Sequence, residues 1–198
     1  AASLSPSQFR RFVHNDVPHL ARLLASPCPG QQLVVTEGVF SMDGDRTDLR
    51  RLVALKRRYD NVLLYVDEAH AFGVFGPTGL GCAEEEGCTR DIDFLVGTFG
   101  KACASAGAYV ACSRTVRDYL VNRMRPFIFT TALPPVSVAW TLFVVRRLVA
   151  MDDRRRHVLR LGERLRARLA QRGYASPSVS QIVPMIVGPS ADTVLRAE

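Results

Sequence analysis

The chain contains 198 residues, of which 47% are hydrophobic and 23% are charged. These fractions are typical of a soluble globular protein with a packed core. The 26 basic and 19 acidic residues give a net charge of +7, which leaves three interpretations of the surface. The surface binds an anion such as a phosphate or a CoA-type substrate, it binds nucleic acid, or it carries solvated arginine-rich helices, the interpretation that we favour.

The cysteines and the apolar stretches exclude several classes of protein. The five cysteines form no CxxC pair and have no histidine at zinc-ligand spacing, which indicates reduced thiols in a cytoplasmic protein. Residues 1–6 lack the charged and then apolar segments of a signal peptide. The most apolar helical stretch, residues 135–150, is interrupted by Arg146 and Arg147 and is shorter than the roughly 20 residues of a membrane span. We therefore expect no membrane role.

Short apolar runs alternate with helical patterns along the chain. Glycines punctuate a long irregular loop near residue 76, and the acidic run at residues 84–86 is expected to be a solvated face. Thr47 or Asp48 is expected to cap a helix. Strands are predicted at residues 33–36, 62–66, 94–96 and 108–111, and helices within residues 7–25, after residue 48, and at about 114–125 and 134–150.

The near-continuous apolar character of these strands predicts an α/β fold, with a mostly parallel sheet covered by helices on both faces. We expect residues 1–150 to form the central and C-terminal part of a large domain. Residues 151–198 are expected to begin a smaller α+β domain, which these residues leave incomplete. That part is predicted to contain a basic helix at about 154–172, followed by a strand at 181–187. The predicted apolar side of this helix consists of Val158, Leu161, Leu165 and Leu169.

Three predicted strand ends carry polar residues of complementary chemistry, at residues 37–41, 67–70 and 98–101. Because the carboxyl ends of parallel strands share one edge of a sheet, we expect these groups to converge. A lysine at such a point is costly to bury as a cation, which favours the neutral amine that a Schiff base requires. Taken alone, Lys101 is also compatible with an ordinary surface lysine. With the other groups, it suits pyridoxal 5′-phosphate (PLP).

Four motifs, in this order, resemble the α-oxoamine synthases, a family of fold-type I PLP enzymes. Thr-Glu-Gly-Val-Phe-Ser-Met-Asp-Gly-Asp occupies residues 36–45, and Val-Asp-Glu-Ala-His occupies residues 66–70. Gly-Thr-Phe-Gly-Lys follows at residues 97–101 and Phe-Thr-Thr-Ala-Leu-Pro-Pro at residues 129–135. The resemblance covers nearly the whole chain. It implies an aspartate aminotransferase-like fold and a homodimer whose active site lies at the subunit interface.

The resemblance also implies roles for individual residues. Lys101 matches the lysine that forms the Schiff base with PLP, and Asp67 matches the partner of the pyridinium nitrogen. His70 and Ser41 match donors to the phenolic oxygen of the cofactor. Other roles remain open at these positions, because Asp67 could cap a helix, His70 could be a core histidine and Ser41 could stabilise a turn.

Three threonines match residues that contact the cofactor phosphate in the family. Thr98 is one of them, although its hydroxyl could instead stabilise a turn. Thr131, together with Thr130, matches a phosphate contact supplied across the dimer interface. We interpret Glu37, Asp43 and Asp45 as parts of the loop architecture.

Within the family, the start of the first motif and the upstream His14-Asn15-Asp16 are most similar to the 8-amino-7-oxononanoate synthase branch. That branch implies condensation of L-alanine with a pimeloyl thioester, of CoA or of a carrier protein, with loss of CO₂. Other branches are 5-aminolevulinate synthase, 2-amino-3-ketobutyrate CoA ligase and serine palmitoyltransferase. Family members also use an upstream histidine and glycine loop and a later arginine. We therefore expect these residues alone to bind PLP poorly and to be inactive.

Two interpretations of other classes remain. Residues 66–70 spell a DEAH box, but such an NTPase requires a P-loop before the box. The nearest candidate follows it, with Leu95 in place of the first glycine and Ala102 in place of the magnesium-binding Ser or Thr. The other alternative is a non-catalytic relative or a fragment that serves in interaction.

Overall fold

A single four-stranded sheet organises the computed structural model, which describes residues 7–186 and Gly188. The first three strands run parallel to one another, and the fourth is antiparallel to the third. The prediction of a mostly parallel sheet agrees with this topology. In sheet order the strands are β1 (Gln32–Glu37), β2 (Val62–Asp67), β3 (Phe94–Thr98) and β4 (Ala108–Cys112).

Helices and irregular loops make up the rest of the described chain, with a short 3-10 helix at Thr89–Asp91. The α-helices are α1 (Val17–Leu24), α2 (Leu49–Lys56), α3 (Cys82–Glu85), α4 (Arg114–Arg123), α5 (Arg125–Ile128), α6 (Pro135–Leu148) and α7 (Asp152–Gln171). Asp48 caps α2, since its carboxylate accepts a hydrogen bond from the Arg51 backbone N–H at 3.0 Å. None of the helices within the described residues is long and apolar enough to span a bilayer.

The main core lies between one face of the sheet and the helices α1 and α2. Alternate residues of β1 and β2 point into it, as the period of two in a strand requires, and Val34, Leu64 and Val66 are almost completely buried. On the opposite face, Leu33 and Val35 are 52% and 50% exposed within the described part of the chain. The described helices therefore pack mainly on the Val34 side.

Helix α7 packs through a different face from the one predicted. Leu161 and Leu165 are 45% and 48% exposed, whereas Arg155 and Gly162 are buried. A Cβ atom on Gly162 would lie 2.8 Å from the carbonyl oxygen of Ser180, so the helix backbone approaches the chain that follows it. Close backbone packing thus decides the orientation of α7. The prediction from apolar spacing was wrong for Leu161 and Leu165, whereas Val158 and Leu169 are half-buried.

Two further local predictions were wrong. No strand forms within residues 181–186, and Val187, the last residue of the predicted strand, lies outside the described residues. The acidic run at residues 84–86 is not a simple solvated face. Glu84 accepts hydrogen bonds from the backbone N–H groups of Thr78 and Leu80 at 3.1 and 3.0 Å. Its carboxylate therefore orders the preceding glycine-rich loop.

Candidate active site

The carboxyl ends of the three parallel strands meet at one edge of the sheet. Glu37 at the end of β1 is in register with Asp67 at the end of β2, and Asp67 is in register with Val96 of β3. Two backbone hydrogen bonds continue this edge beyond the strands, from Gly38 N to Asp67 O at 2.8 Å and from Glu68 N to Val96 O at 2.7 Å. The sequence-predicted groups on these strand ends are thus brought together.

Asp67 and His70 occupy the turn that follows β2. The Asp67 carboxylate accepts a hydrogen bond from the Ala69 backbone N–H at 2.8 Å, which fixes the carboxylate at the sheet edge. Gln181 Nε2 donates to the His70 carbonyl oxygen at 2.7 Å. Burial lowers the pKa of His70, the nearby Lys101 charge lowers it further, and Asp67 opposes both effects. The imidazole is therefore favoured in its neutral form, which can donate one hydrogen bond.

Glu37 belongs to the same charged group, although the sequence interpretation assigned it to loop architecture. Burial raises the pKa of Glu37, and the neighbouring Asp67 charge raises it further. The Ser41 backbone N–H and the charges of Lys101 and His14 act in the opposite direction. Lys101 therefore influences both Glu37 and His70 through its charge. The position of Glu37 at the first of the three converging strand ends agrees with this neighbourhood, and the strand register places Glu37 beside Asp67.

Lys101 lies in the tight connection between β3 and β4, which we call the lysine turn (residues 99–107). The turn is closed by Phe99 N donating to Gly107 O and by Ser105 N donating to Phe99 O, both at 2.9 Å. Ala104 has φ of +47°, a left-handed conformation that is uncommon for a residue other than glycine. The side chain of Lys101 is exposed in this structure, so the burial expected from its position at a strand end is not seen.

The chain contains two lysines, Lys56 and Lys101, and their side chains have different surroundings. The Lys56 ammonium lies 2.5 Å from Asp93 Oδ2 and donates to the Asp91 carbonyl at 2.8 Å, so its position is structural. No hydrogen bond or ion pair with other residues in the described part of the chain occupies Lys101 Nζ. Of the two amines, that of Lys101 is free to react.

Helix α6 supports the lysine turn from the other side. Trp140 Nε1 donates to the Ala104 carbonyl at 3.1 Å, and Thr141 Oγ1 lies 2.6 Å from Ser105 Oγ. Both contacts join residues that are far apart in sequence. They hold the part of the turn that follows Lys101, including the left-handed residue, against a long helix.

Thr98, a predicted phosphate contact, uses its hydroxyl within the turn. Its Oγ1 donates to the Gly107 carbonyl at 3.1 Å and accepts from the Gly100 backbone N–H at 3.2 Å. These bonds correspond to the turn-stabilising alternative considered for this residue. One lone pair of the hydroxyl is left to accept from another group, so the assignment to phosphate stays a prediction.

Thr130 and Thr131 lie in an exposed segment before α6, and Thr130 Oγ1 donates to the Thr131 carbonyl at 3.4 Å. Their neighbour Leu133 approaches the lysine turn. A Cβ atom on Gly107 would lie 2.8 Å from Leu133 Cδ1. The segment is thus next to the turn through Leu133, whereas the two threonine side chains form no hydrogen bond with Asp67, His70 or Lys101 in the described structure.

Ser41 is exposed in a compact turn after β1. The turn is closed by Phe40 N donating to Asp45 O at 3.0 Å, and Asp45 Oδ2 accepts from Asn15 Nδ2 at 2.7 Å. His14 Nε2 lies 2.7 Å from the same carboxylate oxygen. Asp45 therefore fastens the Ser41 turn to the start of the chain, in agreement with its predicted architectural role.

Glu68 is a residue whose importance the sequence interpretation missed. Its side chain is completely buried, and its carboxylate accepts from the backbone N–H groups of Cys82 and Ala83 at 3.1 and 2.7 Å. Burial raises the pKa of Glu68 to about 7, and the two hydrogen bonds oppose that effect. A carboxylate enclosed in this way is not available to magnesium, so the site does not support the DEAH-type NTPase. Gly38 and Gly81 make room for the Glu68 side chain, because a Cβ on either would lie within 3 Å of it.

Comparison with known proteins identifies the family. The model for aminotransferases of class I and II matches residues 1–197. The chain belongs to this family. A relative in Glaesserella parasuis, provisionally named 8-amino-7-oxononanoate synthase, is 52% identical over 198 residues. One with the same name in Neisseria meningitidis serogroup A is 49% identical over 197 residues. Each match covers 98% of this chain and 52% of the relative, so the chain spans about half the length of these curated relatives.

Solved structures of this family have the same fold. Serine palmitoyltransferase (SPT) from Sphingomonas wittichii superposes with a TM-score of 0.90 at 34% identity, covering 99% of this chain and 51% of that one. SPT with a PLP internal aldimine gives 0.83 at 32%, covering 93% and 48%. The 8-amino-7-oxononanoate synthase of Francisella tularensis gives 0.83 at 26%, covering 98% and 58%. The predicted α-oxoamine synthase resemblance, the aspartate aminotransferase-like fold and PLP as cofactor are confirmed.

Proposed function

We propose that this chain is the lysine-bearing part of an α-oxoamine synthase that joins L-alanine to a pimeloyl thioester. The reaction forms a carbon–carbon bond between the acyl carbonyl and the α-carbon of alanine, and it releases the thiol and CO₂. The observation that carries the proposal is the group formed by Glu37, Asp67, His70 and Lys101 at one sheet edge, with mutual electrostatic influence. The names of the relatives support the choice of substrates.

The chemistry of these residues fits PLP. The exposed amine of Lys101 would hold its aldehyde, and the Asp67 carboxylate would pair with its ring nitrogen. His70 and Ser41 would donate to the phenolic oxygen. The remaining contacts, those to the phosphate, would come from Thr98, Thr130 and Thr131.

When bound, PLP supplies an electron sink for the charge that develops at the α-carbon of the amino acid. The residues of the chain then position and move protons. Lys101 Nζ, once released by the incoming amino acid, would take the proton from that carbon. His70 is suited to keep its donor role at neutral pH, because burial and the Lys101 charge lower its pKa. Asp67, fixed by the Ala69 N–H, would hold its charge in one place.

Two further features belong to the proposal. We propose a homodimer with its active site at the interface, to which Thr130 and Thr131 contribute from across that interface. Large exposed apolar side chains next to them, Phe129 at 73% and Phe127 at 58%, support an interface there. We also propose a cytoplasmic location, which is supported by five cysteines that form no disulfide. The boundary near residue 150 between a large and a small domain is likewise proposed.

The test is to locate the PLP-reactive lysine in the intact protein. After incubation with PLP and reduction with borohydride, peptide mass spectrometry is expected to find the adduct on the peptide that contains Lys101. Lys56→Arg should leave this adduct unchanged. Lys101→Ala should abolish it and lower kcat for CO₂ release by about 10²- to 10⁴-fold.

The same assay separates the candidate amino acids. L-alanine with pimeloyl-CoA or a pimeloyl carrier protein is expected to release thiol and CO₂ faster than glycine or L-serine does. Preference for L-serine would instead indicate the SPT branch. An adduct on Lys56, or full turnover by Lys101→Ala, would contradict the proposed function.

A further inference from the structure

Arg155 in the first turn of α7 is buried, with only 4% of its surface exposed. Its neighbours on the same helix, Arg154 and Arg156, are exposed. Arginine is almost never buried unless its charge and its donors are compensated. From its contacts we propose that Arg155 is a positioning residue for Lys101, an inference that rests on the proposed function of that lysine.

The guanidinium of Arg155 binds two backbone carbonyls from separate parts of the chain. Nη1 donates to the Leu148 carbonyl at the end of α6, and Nη2 donates to the Pro77 carbonyl at 2.8 Å. The nearest carboxylate, that of Asp152, is half-exposed and lies 3.8 Å from Nη2. The carbonyls are thus the main partners. Arg155 therefore joins α6, α7 and the loop that contains Pro77.

The loop that contains Pro77, which we call the glycine loop (residues 73–81), lies between Arg155 and the residues next to Lys101. A Cβ atom on Gly79 would lie 3.2 Å from Arg155 Nη1, so the loop backbone lies directly against the guanidinium. The Gly79 carbonyl accepts from the Gly73 backbone N–H at 2.7 Å. Both glycines have positive φ, +85° and +81°, which favours glycine at these positions. The two ends of the loop are therefore held together on the Arg155 side chain.

Gly73 lies against the residue that follows Lys101. A Cβ atom on Gly73 would overlap with Ala102 Cβ and would lie 3.6 Å from Leu148 Cδ2. Leu148 is the residue whose carbonyl Arg155 binds. Arg155 thus contacts both the glycine loop and Leu148, and both of these pack beside Ala102.

This arrangement bears on the direction of the Lys101 side chain. Lys101 is exposed, and its turn includes the left-handed Ala104, so local packing must fix the backbone there. Without Arg155 the Pro77 carbonyl loses this donor, and the Leu148 carbonyl is left with the Met151 backbone N–H. The glycine loop then gains the freedom of its glycines. Lys101 Nζ would then spend less time in the position that reacts with the PLP aldehyde.

The experiment compares Arg155→Met with Arg156→Met in the intact protein. Arg156 is the matched control, because it adjoins Arg155 on α7, is exposed and, among the described residues, forms an ion pair only with Asp152 at 2.7 Å. The readout is the rate at which the borohydride-reducible adduct forms on Lys101 at saturating PLP, below the temperature at which either variant unfolds. We expect a decrease on the order of 10- to 100-fold for Arg155→Met and none for Arg156→Met. A purely structural role would lower Tm without slowing adduct formation in the folded protein.

Arg155→Lys serves as the second variant, in case Arg155→Met does not fold. It keeps the positive charge, but its single ammonium lacks the planar fork that reaches two carbonyls, so the rate should lie between those of the wild type and Arg155→Met. Adduct formation at the wild-type rate in either folded Arg155 variant would overturn the proposal. Absence of a Lys101 adduct in the wild type would instead overturn the proposed function.

Discussion

Asp67 and Glu68 are consecutive carboxyl residues with contrasting surroundings. Asp67 lies at the sheet edge beside Glu37, where its carboxylate accepts one backbone N–H and acts electrostatically on His70. Glu68 is enclosed and accepts two backbone N–H groups from the start of α3. Of these two consecutive residues, Asp67 has a carboxylate that is open to a ligand, whereas the Glu68 carboxylate stabilises the start of α3.

The enclosure of Glu68 predicts a pH dependence of stability. Its pKa is raised from 4.5 to about 7 in the folded protein, chiefly by burial, so the folded state binds this proton more tightly than the unfolded state. The contribution of Glu68 to the free energy of unfolding is therefore greatest at low pH and decreases as pH rises from about 4.5 to about 7. The decrease should amount to about 3 kcal/mol.

The measurement is urea denaturation of the apoprotein at several pH values between 4 and 8, as wild type and as Glu68→Gln. Gln cannot titrate, so the difference in unfolding free energy between the two proteins should change across this range. Glu85→Gln, at a carboxylate that is 42% exposed, is the control for removal of a negative charge from the same segment without a change in the buried carboxyl group. Parallel curves for the wild type and Glu68→Gln would show that Glu68 does not titrate in this window.

At the level of single residues, the sequence pointed to the side chains whose chemistry suits a cofactor site. Lys101, Asp67 and His70 stand directly after apolar runs, where a parallel sheet exposes side chains at its edge. Arg155 and Glu68 could not be found in that way. Their partners are backbone groups of distant segments, and a backbone N–H or carbonyl has no identity in the sequence.

Helices and strands differ in how well the sequence predicts their packing. In α2 the apolar residues themselves form the buried face, which includes Leu49, Leu52 and Val53. The apolar side predicted for α7 was wrong for two of its four residues, because Gly162 and Arg155 are the fully buried residues of this helix. A glycine carries no hydrophobic signal, although it allows the closest approach of two backbones.

The contact at Gly162 predicts the effect of a substitution on α7. Gly162→Val should lower the free energy of unfolding by about 1–3 kcal/mol, because a Cβ atom already meets the Ser180 carbonyl and two methyl groups add to the overlap. The matched control is Ala167→Val, at an exposed position of the same helix. It introduces the same side chain and should cost less than about 1 kcal/mol. Equal losses in urea denaturation would show that α7 does not pack through Gly162.

Across the whole molecule, the cysteines differ in burial, from the core to the surface. Cys82 and Cys103 are completely buried, one in each of the two apolar clusters, whereas Cys28 is exposed before β1. Burial also raises the pKa of Cys88 to about 11, which keeps its thiol protonated at neutral pH. Thiol reactivity therefore reports on whether both clusters have formed.

We expect Cys28 to react rapidly with a thiol reagent such as DTNB in the native protein. Cys82 and Cys103 should react only after denaturation in urea, because the reagent cannot reach them. Cys28→Ser should remove the rapid phase, and mass spectrometry of the labelled peptides assigns each phase to a cysteine. Rapid labelling of Cys82 in the native protein would contradict the described core.

The direction of β4 has a consequence for how the length of this chain can vary among homologues. Because β4 returns antiparallel to β3, with pairs from Phe94–Cys112 to Thr98–Ala108, both ends of the lysine turn are fixed by the sheet. One inserted or deleted residue would shift the strand register or reverse the direction of Lys101. Natural length variation should therefore be smallest in the lysine turn and larger in the exposed connection at residues 25–31.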